Sequence, residues 1–379
     1  MDYVERKLDI AGVLKRKSCF LFGPRQCGKS SLIRETLPDA QVFDLLSGDT
    51  FRRLARDPGY LEEASPGPGA IVIDEIQKLP ELLDEVHRLI ESKGRRFLLT
   101  GSSARKLRKG GVNLLGGRAR VRNLHPFSAA ELGAAFNLDR ALNQGLLPGI
   151  WFSDDPEEDL SSYVSLYLEQ EILQEGATRN LPAFSRFLEV AALSSGGQIN
   201  YQSIASDAQV ARSTVQEYFK ILVDTLLARE IPVWRRGKSR KTVETSKFYL
   251  FDTGVARRLQ GRTRLVRGTT EHGIAFEHWV LHELASYADA CRRDAEIAYW
   301  RTRTNLEVDF VVDGETAVEA KTSGNVARDD LKGLRAIADE GTFRHRILVC
   351  NEPRVRIVDG IEIVPWRVFV DRLWSGGLF

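Results

Sequence analysis

The chain has 379 residues, 43 % of them hydrophobic and 28 % charged, which excludes a disordered or fibrous protein and predicts two to four domains. A net charge of +2 says nothing for or against nucleic acid, so charge has to be read locally. Cys19, Cys27, Cys291 and Cys350 form no C-x-x-C pair, which argues against structural zinc and a disulfide framework. There is no basic end with an apolar run behind it, and no apolar run near the ~20 residues that span a bilayer, so the expectation is a cytoplasmic protein without membrane contact.

The first third alternates apolar strands with amphipathic helices. Strands are expected at residues 18–22, 41–45, 70–73, 96–100 and 119–124, with a helix at 81–91 whose Leu82, Leu83, Val86, Leu89 and Ile90 share a face. Such alternation predicts an α/β fold with a parallel sheet covered on both faces. Ser128-Ala129-Ala130-Glu131 is a capping box, so a helix starts there. From Ser128 to about Arg179 the pattern is helical, with Tyr163, Leu166, Tyr167, Glu171 and Ile172 roughly in register, as a small lid would be.

The strongest motif is Gly23-Pro24-Arg25-Gln26-Cys27-Gly28-Lys29-Ser30, a complete G-x-x-x-x-G-K-[ST] between an apolar strand and a helix. The backbone N–H groups from Gly23 to Ser31 would curl around the phosphates of ATP, with Lys29 reaching the β- and γ-phosphates and the Ser30 hydroxyl on Mg²⁺. The strand Ile71-Val72-Ile73 runs into Asp74-Glu75, which places Asp74 near the magnesium and Glu75 near the attacking water. At the end of the next strand, Thr100 or Ser102 could hold that water.

Residues 201–205 read as a short helix, with a turn through Asp207 and Ala208 and then a longer helix burying Val215, Tyr218, Phe219, Leu222, Val223 and Leu226. This is the helix-turn-helix plan, with Arg212, Ser213, Thr214 and Gln216 positioned for DNA. A basic ribbon follows: Arg235, Arg236, Lys238, Arg240 and Lys241, with Gly237 at its tip and Lys247 soon after. A cluster of this kind neutralises phosphates.

Towards the C-terminus Glu277 opens a helix and points at its apolar face, where a carboxylate needs a partner or a metal. Residues 306–312 alternate, and a loop at Asp313-Gly314-Glu315 would close a hairpin with 312 opposite 316 and Asp309 opposite Glu319. Those two carboxylates could then clasp Mg²⁺ with Lys321 beside them. His278 and His282 are spaced like zinc ligands but lack H-E-x-x-H, which favours a structural role.

Gly23–Ser30, Asp74-Glu75-Ile76-Gln77, Leu99-Thr100-Gly101-Ser102, Gly117-Arg118, His125-Pro126-Phe127-Ser128 and Lys247–Gly254 together resemble a prokaryotic AAA+ ATPase branch with a C-terminal domain of unknown function. The resemblance implies an ATP- and Mg-dependent, ring-forming, often hexameric assembly, with Arg118 as an arginine finger and Arg120 and Arg122 as rivals. Glu277, Asp309 and Glu319-x-Lys321 resemble the PD-(D/E)XK nuclease superfamily, with Val308 standing where a proline is usual. The implied division is an AAA+ core at 1–127, a helical lid at 128–182, a winged helix at 183–265 and a restriction-endonuclease-like α/β domain at 266–379. The implied protein is an ATP-hydrolysing DNA motor with a Mg-dependent deoxyribonuclease, serving repair, recombination or defence. The alternative is an ATP-dependent switch on DNA or protein whose nuclease fold is inert.

Overall fold

The computed structural model describes residues 3–105, 107, 115–168, 180–235, 242–291 and 294–379. The chain falls into two compact units: Met1–Phe127 with Asp224–Leu226 and Asp289–Cys291, and the rest of the chain from Ser128 onward. Among the described residues no helix is long and apolar enough to cross a membrane.

The first unit is built on five parallel strands: β1 (Ser18–Phe22), β2 (Gln41–Asp44), β3 (Ile71–Asp74), β4 (Phe97–Gly101) and β5 (Ala119–Asn123). Their order is β2-β3-β4-β1-β5. Each lies within one residue of its expected position. The three central strands, β3, β4 and β1, are buried on both faces, because successive side chains of a strand point opposite ways, whereas the edge strands β2 and β5 leave Val42 and Val121 exposed. Phe20, Phe22, Ile71, Ile73, Phe97 and Leu99 join one core, which takes Leu82, Leu83, Val86 and Leu89 of helix Leu82–Lys93. Cys19, Leu21, Val72 and Leu98 join another, with Leu32 and Ile33 of helix Lys29–Thr36.

The second unit opens with the expected capping box: the Glu131 amide donates to the Ser128 hydroxyl and the Glu131 carboxylate accepts from the Ser128 amide. Of the lid residues, Tyr163 is buried and Leu166 exposed, while Glu171, Ile172 and the Tyr167 side chain lie outside the described residues. Three helices follow, Leu181–Leu193, Tyr201–Ala208 and Arg212–Asp224, and then an antiparallel pair, β6 (Ala228–Ile231) with β7 (Lys247–Leu250). The turn between the last two helices comes later than expected. Helix Tyr201–Ala208 ends at Gln209, which takes the left-handed conformation at φ 55°. Phe184, Phe187, Val215, Tyr218, Phe219 and Leu222 pack with Phe248 and Leu250 of β7.

The C-terminal part is a six-stranded mixed sheet of β8 (Ile297–Arg301), β9 (Glu307–Val312), β10 (Thr316–Ala320), β11 (His345–Cys350), β12 (Arg356–Val358) and β13 (Ile361–Pro365), in the order β12-β13-β11-β10-β9-β8. Val312 pairs with Thr316 and Val311 with Ala317, the register expected from the Asp313-Gly314 turn. Helix Thr270–Ala290 starts well before Glu277, which therefore sits inside the helix rather than at its opening.

Lys247–Gly254 has a structural reason for its pattern. Asp252 caps helix Thr253–Leu259 by accepting from the Val255 amide at 3.0 Å, and its other oxygen accepts from the Leu146 amide at 2.7 Å. Gly254 passes so close to helix Leu138–Gln144 that a Cβ there would lie 2.3 Å from the Gln144 carbonyl. Replacing Asp252 with Ala leaves two buried amides without acceptors. It should cost the second unit about 2–3 kcal/mol, read as a lower denaturation midpoint on urea titration; an unchanged midpoint would contradict this reading.

Candidate functional site

In the first unit, parallel register fixes which residues meet at the carboxyl edge of the sheet. Leu21 pairs with Thr100 and Ile73 with Leu99, so Thr100 and Asp74 reach the edge at the level where β1 runs into Gly23. The Thr100 hydroxyl donates to Asp74 Oδ1, and the Glu75 amide donates to Thr100 Oγ1 at 3.4 Å. Ser102 lies just past the strand and is buried. Glu75 takes φ 60° and accepts a hydrogen bond from the Gln77 side-chain amide. A non-glycine residue at positive φ marks backbone held by its surroundings, often at a functional site.

Gly23 is required by close approach: a Cβ there would stand 2.4 Å from the Leu124 carbonyl oxygen. Gln26 and Gly28 both have positive φ, at 62° and 97°, and Gly28 leads directly into helix Lys29–Thr36. A helix N-terminus reached through such a turn suits an anion, while the Cys27 amide is turned inward to the Pro24 carbonyl at 3.4 Å. The Lys29 ammonium folds back over the loop, donating to the Gly23 carbonyl at 2.6 Å and the Pro24 carbonyl at 3.1 Å. Cys27 is buried in the core below; Pro24 is buried and Arg25 half-buried, while Ser30 and Ser31 are exposed in the first turn.

Sequence reasoning missed Arg6. Its buried guanidinium donates to the Cys27 carbonyl at 2.8 Å and the His125 carbonyl at 2.5 Å, over the Phe127 ring. One side chain thus fastens the P-loop to the end of β5. No motif flags it, because the contact joins residues about 120 positions apart. The finger candidate Arg118 pairs with Glu91 on the surface, which holds the Glu91 carboxyl below its ordinary range. Arg120 and Arg122 are half-buried on β5.

In the second unit the structure gathers Glu277, Asp309, Glu319 and Lys321. Lys321 reaches Glu319 at 2.7 Å, and Asp309 Oδ2 accepts from the Ala320 amide at 2.9 Å. Lys247, grouped in sequence with the basic ribbon, is buried here instead. Its Nζ lies 2.8 Å from Glu277, 2.6 Å from Glu307 and 3.7 Å from Asp309. The Tyr249 hydroxyl also donates to Glu277. Strand alternation explains it: Phe248 and Leu250 face the helical core, so Lys247 and Tyr249 face the other way. Burial works against the Lys247 charge, yet Glu277, Tyr249 and Asp309 hold its pKa well above the ordinary value. Burial pushes Asp309 up, with the Glu277 charge adding, and pushes Glu319 up, with Asp309 adding.

These residues do not fit the Mg²⁺ expected between Asp309 and Glu319. An ammonium already serves Glu277, Glu307 and Asp309, and no group of three or more metal-ligating side chains occurs among the described residues. His278 and His282 are buried, and burial lowers His278 to about 4, which agrees with a structural role. Arg212 and Ser213 are exposed at the start of helix Arg212–Asp224, Thr214 is half-buried and Arg235 exposed. Arg236, Lys238, Arg240 and Lys241 lie outside the described residues.

The P-loop motif, the acidic strand end and the five-stranded parallel sheet are arranged as in P-loop nucleotide-binding folds. In agreement, residues 15–133 match the family described as AAA domain, residues 135–265 a domain of unknown function (DUF8612) and residues 272–369 a domain of unknown function (DUF4143). Two curated relatives, uncharacterized proteins of Mycobacterium tuberculosis and Mycobacterium bovis, are each 29 % identical over 304 residues, spanning 77 % of this chain and 67 % of theirs. Among solved structures, the RuvB Holliday junction branch migration motor of Thermotoga maritima is 16 % identical, covering 59 % of this chain and 87 % of that one at a TM-score of 0.29. A signal transduction ATPase with numerous domains from Pyrococcus horikoshii is 15 % identical, covering 77 % of this chain and 48 % of that one at 0.25. Likeness this slight carries no argument about activity.

Removing the Arg6 guanidinium releases two carbonyls at once, that of Cys27 buried and that of His125 partly so. Arg6→Ala should weaken ATP binding by roughly 10-fold while the sheet stays folded, since hydrogen bonds from a charged group each contribute about 1.5–3 kcal/mol. Fluorescent-nucleotide titration measures it, and unchanged affinity would show that the loop holds its shape without Arg6.

Proposed function

We propose that the chain hydrolyses ATP and uses the cycle to act on DNA held by its second unit. The observation that carries the ATPase half is the edge where the P-loop, Asp74, Glu75 and Thr100 come together. In this reading the loop amides from Gly23 to Ser30 bind the triphosphate and Lys29 moves from the loop carbonyls to the β- and γ-phosphates. Ser30 and Asp74 fit a magnesium ion, since both are oxygen donors beside the loop. The metal neutralises charge on the β- and γ-oxygens when bound. Glu75, anchored by Gln77, orients the attacking water, and Thr100 fixes the Asp74 carboxylate. A ring of copies, six in the form the sequence resemblance suggests, would let Arg118, Arg120 or Arg122 reach a neighbour's nucleotide.

The DNA half rests on the exposed Arg212 and Ser213 at a helix start, on Arg235, and on the charge of the segment from Arg236 to Lys241. Three helices followed by an antiparallel pair support naming residues 183–265 a winged helix, with 128–182 as lid and 266–379 as a nuclease-like domain. For that last part, Lys247 among the carboxylates favours binding without cutting over a Mg-dependent deoxyribonuclease. A role in repair, recombination or defence is compatible with either.

Turnover measured with duplex, forked and junction DNA should rise on at least one of them, with no cleavage of any. Glu75→Gln should retain ATP but lose hydrolysis by at least about 100-fold. Arg212→Glu with Arg235→Glu should reduce the DNA stimulation about 10-fold without changing DNA-free turnover. Stimulation by a polypeptide and by none of the DNAs would replace this reading with protein remodelling.

A further inference from the structure

We infer that the Lys247 ammonium is the resident cation of the carboxylate cluster on β9 and β10, standing where a divalent metal would otherwise be held, and that removing it opens a divalent-cation site. The inference concerns the second unit alone and stands whether or not the ATPase reading holds.

Four carboxylates converge from three elements: Glu277 from helix Thr270–Ala290, Glu307 and Asp309 from β9, and Glu319 from β10. Lys321 serves Glu319 and Arg301 serves Glu307 at 2.9 Å, while among the described residues Glu277 and Asp309 form ion pairs with Lys247 alone, the Tyr249 hydroxyl and the Ala320 amide being their neutral donors. The Lys247 side chain is 4 % exposed, so its charge has no water to fall back on. A cation bound to Glu277 and Asp309 at the ~2.1 Å of magnesium–oxygen bonds would sit against the ammonium, and two cations there repel. The second, independent sign of a cation site is Glu319 Oε2. It is buried and has no hydrogen-bond partner among the described residues, although its sister oxygen holds Lys321. Lysine therefore satisfies most of the cluster and leaves one acceptor that a smaller, doubly charged ion would use.

The position of Lys247 also gives the arrangement a purpose. It opens β7, the strand that pairs with β6 beside the three helices, so its ion pairs tie that segment to the C-terminal sheet. Breaking a buried ion pair by removing one partner strands the other charge, which is the driving force for taking up a replacement ion.

The test is Mn²⁺ uptake by the full, nucleotide-free chain, followed by electron paramagnetic resonance. Lys247→Met keeps the length of the side chain and removes its charge. It should bind one Mn²⁺ at least about 30-fold more tightly than the unaltered protein, and adding Asp309→Asn should abolish that site. Lys247→Arg should behave as the unaltered protein. If Lys247→Met does not fold alone, Mn²⁺ should restore its circular dichroism melt. The inference is overturned if the unaltered protein binds a Mn²⁺ that Asp309→Asn removes. It is equally overturned if Lys247→Met, folded, takes up no additional ion, or, unfolded, is not rescued.

Discussion

Everything in the first unit depends on one constraint: five parallel strands must end level, so that the loop after β1 and the acids after β3 share an edge. The register of β1 with β4 and of β4 with β3 sets this level, and hydrophobic burial on both faces locks it. A slip of one residue would turn Asp74 to the other face of the sheet. The polar contacts then add direction, with Thr100 on Asp74, Gln77 on Glu75 and Arg6 under the P-loop.

The second unit solves a different problem, that of burying charge. Lys247, Glu277, Glu307, Asp309, Glu319 and Lys321 lie in or beside a hydrophobic core, and each charge is tolerable because another faces it. The same cluster joins β7, helix Thr270–Ala290 and the C-terminal hairpin. A site that resembles a nuclease in residue order thus acts in the structure as a clasp between segments distant in sequence.

Much of this was legible in the sequence, for physical reasons. The central strands of the first unit, β1, β3 and β4, announce themselves as short apolar runs, because both their faces are buried. The Asp313-Gly314 turn fixed the hairpin register, and Ser128 with Glu131 fixed a helix start. What could not be read were contacts between distant segments. Lys247 follows a basic ribbon and reads as one more exposed cation, yet the alternation Lys-Phe-Tyr-Leu held the signal that it shares a face with Tyr249. Glu277 on an apolar helix face needs a partner, but whether that partner is a metal or an ammonium depends on where β7 lies. Arg6 left no trace at all, since its acceptors are main-chain carbonyls.

The central claim is that the Gly23–Ser30 loop holds a triphosphate with the Lys29 ammonium over it. Calorimetric titration of the purified full chain with ATP and magnesium tests this most directly. The account predicts saturable uptake of one nucleotide per chain, lost in Lys29→Ala while the circular dichroism spectrum is unchanged. Absence of uptake by folded, unaltered protein, or equal uptake by Lys29→Ala, would contradict it.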